Sequence, residues 1–346
     1  MKRALTALGV LLALAVVLAI GLALYTARSL NTPVNVPDTG MTFTILPGTP
    51  FSTVASELAA DDVIAHPNLL RWYARITGKA SAIHAGEYRI ETGTTARELL
   101  EAFLAGSVQL HSFTIVEGWN FRELLAAMAA NDAITSTLSD EGSAELLDGI
   151  DTTYTHPEGL FLPETYRFPR GTRDIDILRQ AHEHLLDTLA QEWEAREPSL
   201  PLDDPYDALI LASIVEKETA RADERARIAG VFVRRLELGM RLQTDPTVIY
   251  GIGPDFNGNL TRSDLRTDTE YNTYTRGGLP PTPIAMPGRE AIHAVLHPAP
   301  GNELYFVATG IGDGSHQFSE TKEQHDAAVS EYLKRQRSKR QSGKSR

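Results

Sequence analysis

The chain has 346 residues, 42% of them hydrophobic and 23% charged, a composition that suits a folded protein of two or three domains and excludes a largely disordered or collagen-like chain. It contains no cysteine, which removes disulfide frameworks, thiolate zinc sites, Cys-x-x-Cys redox motifs and cysteine nucleophiles together. The net charge of −12, from 45 acidic and 33 basic residues, has the wrong sign for a protein that must neutralise phosphates, so nucleic acid is not an expected partner.

After Lys2 and Arg3, residues 4–27 carry no charge. As a helix they span about 36 Å, against a hydrocarbon layer of about 30 Å. A cleaved signal peptide usually has an apolar region of only about 7 to 15 residues, so an uncleaved transmembrane anchor is expected. Lys2, Arg3 and the amino terminus before the span, against Arg28 after it, place residues 1–3 in the cytoplasm and the rest outside by the positive-inside tendency. Residues 28–40, with Pro33, Asn35, Pro37 and Gly40, have the composition of an extended linker.

A strand, a glycine turn and a helix then recur. Phe43-Thr44-Ile45 with Gly48 leads to Val54 and Leu58; Tyr88-Arg89-Ile90 with Gly93 leads to Leu99, Leu100 and Phe103; Phe113-Thr114-Ile115 with Gly118 leads to Leu124 and Met128. Glycine suits a turn with positive φ, and a Thr or Asn just beyond it can cap the next helix. This unit resembles the LysM-like module, a resemblance that implies a ligand in the N-acetylated sugar backbone of cell walls. A plain α+β packing unit has the same pattern. The assigned range is 41–111.

Residues 112–333 read as mainly helical. Leu178, Ala181, Leu185 and Leu189 fall at helical spacing, and Asp204-Pro205 combines an N-cap with a first-turn proline. The run Tyr206 to Val215 is too apolar for a surface helix and leads directly into Glu216-Lys217-Glu218-Thr219. Ile228, Val231, Phe232 and Leu236 mark another helix, ended by Gly239.

The positions three, four and seven before Glu218 are Val215, Ile214 and Leu211, so Glu218 extends the most apolar stripe of its helix. Glu216 follows Ser213, Ala212 and Leu209, a smaller and more polar stripe, and points about 200° away from Glu218. An acid at the margin of an apolar surface has its ionised form disfavoured, and so stays protonated and available as a general acid near neutral pH. The alternative is a solvated helix end.

Residues Leu211 to Thr219 and Gly239 to Gly251, with the stretch from Glu158 to Tyr166, Tyr271-Asn272-Thr273-Tyr274, Gly278-Leu279-Pro280-Pro281 and His297-Pro298-Ala299, are similar to the endolytic murein transglycosylase (YceG-like) family. The resemblance covers nearly the whole chain. It implies an α+β protein made of a transmembrane helix, a LysM-like subdomain and a mainly helical catalytic domain with a lytic-transglycosylase-like active site. It implies cleavage of the β-1,4 bond between N-acetylmuramic acid and N-acetylglucosamine inside nascent peptidoglycan strands, leaving 1,6-anhydromuramic ends and limiting strand growth at the inner membrane. In that family the acid is the second glutamate of Glu-Lys-Glu-Thr, here Glu218. Peptidoglycan synthases become candidate partners.

Gln243, Thr244 and Asp245 could bond to sugar N-acetyl or hydroxyl groups, although Asp245-Pro246 is equally a turn. Tyr271, Asn272 and Tyr274 have the amphipathic chemistry of sugar clefts, and Glu164 and Tyr166 could support the acid or order a loop. His316 fits either a cleft or a loop. His182 and His184 are two apart on a helix, unlike a metal-binding i, i+4 pair, so neither a metal nor a cofactor is expected. Residues 334–346, seven of them basic and none acidic, read as a disordered tail. A non-catalytic peptidoglycan-binding scaffold and a lysozyme-type hydrolase, which needs a second carboxylate, are the competing functions.

Overall fold

In a computed structural model that describes residues 2–138, 143–150 and 152–344, the N-terminal apolar run is a single helix, α1 (Lys2–Leu30). Its segment Leu8–Leu30 has a mean hydropathy of 2.7 and is long and apolar enough to cross a membrane. The chain divides into two compact units, residues 1–111 with 167–171, and residues 112–166 with 172–346.

The first unit continues with β1 (Met41–Ile45), α2 (Phe51–Ala60), α3 (Pro67–Ile76), β2 (Gly86–Ile90) and α4 (Ala96–Ala105). Alternation in β1 turns Phe43 and Ile45 inward and leaves Thr42 and Thr44 outside, as a half-buried strand requires. β1 and β2 pair antiparallel with Phe43 opposite Tyr88. Val54, Leu58, Leu70, Ile90, Leu100 and Phe103 close the core around them. Thr95 caps α4 in a reciprocal capping box with Glu98, whereas α2 starts at Pro50 without a side-chain cap.

The stretch after α1 is not the free linker that its composition suggests. Leu30 and Val34 belong to the core of the first unit, Val34 N donates to Thr94 O at 2.8 Å, and Asn35 N donates to Val63 O at 2.9 Å. Apolar side chains spaced among the prolines and asparagines give this segment something to bury, and its backbone donors are satisfied against the unit.

Beyond β3 (Leu110–Thr114), the second unit contains α5 (Phe121–Ala129), β4 (Ile134–Thr135) and α6 (Ser143–Gly149); after β5 (Thr165–Pro169) come β6 (Thr172–Arg173), α7 (Asp174–Ala195), α8 (Pro205–Glu218), α9 (Ala222–Glu237), α10 (Asp245–Ile252) and α11 (Arg289–Leu296). β7 (Tyr305–Ala308), β8 (His316–Ser319) and α12 (Lys322–Lys344) complete it. β4 and β6 pair parallel, β7 and β8 antiparallel. The third strand–turn–helix segment therefore lies mostly in this unit, apart from the first two.

At the centre of the second unit is α8. Asp204 accepts from the Tyr206 and Asp207 amides, Pro205 opens the helix, and every residue from Ala208 to Val215 is buried. It packs against α7, α9, α10 and α11. Where the sequence suggests a disordered basic tail, α12 runs on to Lys344, supported by a Lys334–Glu331 pair and by Arg335 and Lys339 donating to the Thr309 and Gly310 carbonyls. Charge alone hides these contacts, because the acceptors are backbone oxygens.

Candidate active site

Glu218 is the last residue of α8 and Thr219 is already extended, so the carboxyl stands where the buried helix reaches a cleft. It borders two cavities. One, of about 650 Å³, is lined by Glu117, Glu164, Glu216, Lys217, Thr219 and Arg225; the other, of about 390 Å³, by Arg235, Gln243, Thr244, Asp245, Tyr274 and His316. Burial pushes the Glu218 carboxyl above the usual glutamate range. Asp245 adds to the effect, while the Thr244 hydroxyl, His316 and Arg235 oppose it. The negative end of the α8 dipole acts in the same direction as burial.

The groups around the acid are each fixed by separate contacts. The hydroxyl of Thr244 donates to Glu218 Oε1, and its amide donates to Thr273 Oγ1 at 3.1 Å. Tyr274 donates to Asp245 at 2.6 Å. His316 pairs through Nδ1 with Glu224 at 2.7 Å, and Arg235 is buried, donating to the Leu242 and Leu304 carbonyls.

Glu216 departs from the stripe argument. Its side chain is only 6% exposed, accepts from the Gly288 amide at 3.0 Å and faces Arg225 at 3.9 Å. Burial raises its carboxyl too. A Cβ at Gly288 would fall 2.1 Å from Glu117 Oε1, so a larger residue there would displace the exposed Glu117 side chain.

A second buried carboxyl, Glu158, was not singled out from the sequence. It accepts from the Phe121 amide at 2.9 and 3.1 Å and from the Tyr250 hydroxyl at 3.0 Å, and burial raises it to about 7. It lines a cavity of about 730 Å³ with Phe121, Tyr250, Tyr271 and Lys217. Tyr250 and Tyr271 meet edge to face at 4.8 Å. Gly159 beside it has φ +76°, and a Cβ there would lie 2.4 Å from Pro283. The available signal was an acid ahead of a required glycine; its partner Tyr250, 92 residues away, gave none.

Six of the eight proposed sugar contacts line these cavities: Gln243, Thr244, Asp245 and Tyr274 in one, Glu164 in another, Tyr271 in the third. Two stand elsewhere. Asn272 is fully buried and its amide donates to the Asp264, Leu265 and Thr267 carbonyls, which orders its own loop. Tyr166 is buried and donates to Leu162 O at 2.7 Å. In both cases the polar end that suggested sugar binding is spent on backbone.

A two-unit α+β protein with an uncharged-leaning carboxyl at the end of a buried helix, opening on polar and aromatic cavities, is a candidate glycan-processing scaffold. The YceG-like family model matches residues 43–331, and the chain belongs to that family. It is 30% identical over 339 residues to the endolytic murein transglycosylase of Bacillus subtilis (strain 168), covering 91% of each chain. It is 24% identical over 320 residues to the protein of the same description from Streptococcus pneumoniae serotype 2 (strain D39), covering 83% of this chain and 57% of that one. The 2.6 Å crystal structure of a yceG-like protein from Listeria monocytogenes aligns with a TM-score of 0.52 and 26% identity, covering 84% of this chain and 99% of that one.

Proposed function

We propose that this protein is a membrane-anchored endolytic murein transglycosylase, with Glu218 as its single acid–base group. The observation that carries the assignment is a carboxyl at the edge of two cavities whose ionised form burial disfavours, with one oxygen held by Thr244. Glu218 gives its proton to the glycosidic oxygen as the bond from C1 of N-acetylmuramic acid breaks, and GlcNAc leaves with a free 4-hydroxyl. The resulting carboxylate removes the proton of the muramoyl 6-hydroxyl, whose oxygen bonds to C1. The 1,6-anhydro ring closes, Glu218 regains its proton and no water is consumed. One carboxyl serves both steps because the nucleophile belongs to the substrate.

Gln243, Asp245, Tyr274, Tyr271 and Glu164 are the proposed sugar contacts. α1 is the proposed single-pass anchor in the inner membrane with the remaining chain outside, and the β1-α2-α3-β2 unit is the proposed holder of wall glycan. Protease digestion from the outer side alone tests the orientation, and binding to purified sacculi after loss of residues 41–106 tests the holder. Asp245 favours one competing reading, since it is the carboxylate whose field acts on Glu218 and a hydrolase would use it to activate water. Mass spectrometry of digested peptidoglycan separates the two: anhydro ends are about 18 Da lighter than hydrolysed reducing ends. Reducing ends would overturn the transglycosylase assignment.

A further inference from the structure

Away from the cleft, α7 and α11 run side by side in matching register. Arg289 Nη2 donates to Thr188 Oγ1 at 2.8 Å, and four residues further along each helix His293 Nδ1 meets Glu192 Oε2 at 2.8 Å. Just past the end of α7, the Glu197 amide donates to the carbonyl of Leu296, the last residue of α11, at 2.9 Å. His297, four residues after His293, falls on the same side of α11, and the two imidazoles stack with centroids 4.3 Å apart. This is the i, i+4 histidine spacing that His182 and His184 lack.

An ordinary histidine–glutamate hydrogen bond accounts for His293 and leaves His297 unexplained. Its Nε2 is buried, has no hydrogen-bond partner among the described residues and lies 3.8 Å from the same Glu192 oxygen, too far for a hydrogen bond. One donor atom from each of Glu192, His293 and His297 lies within 4.8 Å of the others. Tetrahedral zinc, with bonds of about 2.0 to 2.1 Å, holds its ligands roughly 3.4 Å apart, a spacing bracketed by the two observed distances.

We propose that Glu192, His293 and His297 form a binding site for a divalent transition metal, zinc foremost, that clamps α7 to α11. Two imidazoles and one carboxylate suit a borderline cation and leave a fourth position for water, and hard cations such as magnesium prefer oxygen ligands throughout. Because α11 packs directly on α8, the clamp stiffens the support of the helix that ends in Glu218 without joining its chemistry. The metal identity follows from ligand type, and occupancy depends on neutral imidazoles, so binding weakens on acidification.

The test is calorimetric titration of zinc chloride into the untagged full chain in detergent, stripped beforehand with chelator. One equivalent should bind, and zinc should raise the melting temperature. His293→Ala, at a half-exposed position, and Glu192→Gln, which preserves shape, should each weaken binding at least about tenfold and abolish the melting shift. X-ray absorption at the zinc edge should show two imidazole ligands. Absence of binding would overturn the site, and so would wild-type affinity in both variants, which would place the ion on other histidines.

Discussion

Thr244 occupies the N-cap of α10, yet its hydroxyl caps nothing in that helix and donates instead to Glu218 Oε1. A threonine at that position ordinarily satisfies a first-turn amide, worth about 1 kcal/mol. Here that stabilisation is forgone and the hydroxyl orients a carboxyl on another helix, as functional sites do when they break local rules.

Thr244→Val should therefore affect the acid more than the fold. The hydroxyl favours the ionised carboxylate, so its loss should raise the Glu218 pKa further and move the alkaline limb of the pH–rate profile upward. Turnover should fall by about tenfold or more, while Thr244→Ser should retain most activity. An unshifted limb in the valine variant would remove Thr244 from this role.

Glu218→Gln keeps the shape but cannot deliver or recover a proton, and activity should fall by roughly 10²- to 10⁴-fold. Glu216→Gln retains an acceptor for the Gly288 amide and should be mild in activity. Glu216→Ala leaves that amide and Arg225 without their partner and should cost about 1 to 3 kcal/mol in a denaturant titration. Counting muropeptides by mass spectrometry ranks the variants; full activity in Glu218→Gln would make Glu216 the next candidate.

Glu158 gives the fold a definite pH dependence. Its carboxyl titrates near 7 in the native state against an ordinary value of 4.5, so between these pH values the native protein holds a proton that the unfolded chain has released. Unfolding free energy then falls as pH rises through that window, by a few kcal/mol at about 1.4 kcal/mol per pKa unit. Urea titrations at pH 4.5 and 7 should show this decline in the wild type and a flatter response in Glu158→Gln.

Shortening the N-terminus separates the anchor from the core. Loss of residues 2–24 should give a protein that no longer sediments with membranes yet melts close to wild type. Loss through Leu30, which is 2% exposed in the first-unit core, should cost about 2 to 5 kcal/mol more. Equal melting temperatures for the two truncations would mean that Leu30 contributes little.

What could be read from the sequence followed chain-local patterns. The α8 boundaries were visible in Asp204, Pro205 and an unbroken apolar run, and the apolar stripe of that helix leads to Glu218, the proposed acid. α3, whose Leu70 and Ala74 are buried on either side of half-buried Arg71 and exposed Trp72, lies between the first two strand–turn–helix segments and outside their repeated pattern. Asn272 and Tyr166 misled because side-chain chemistry does not reveal whether a polar group faces a cavity or a backbone carbonyl. Glu158 with Tyr250, and Glu192 with His293, are meetings of distant residues with no local trace.

Glu216, Lys217 and Glu218 each hold a different part of the chain: Gly288 through its amide, Gly118 through its carbonyl at 2.9 Å, and Thr244 through its hydroxyl. Successive side chains on a helix leave the axis about 100° apart, so three neighbours reach three separate loops at a single level. The end of α8 is thus the hub of a three-spoked wheel, with one loop tied to each spoke. A single residue inserted or deleted between Asp204 and Glu216 would turn the hub by one spoke, detaching all three loops at once while leaving the composition of the motif intact.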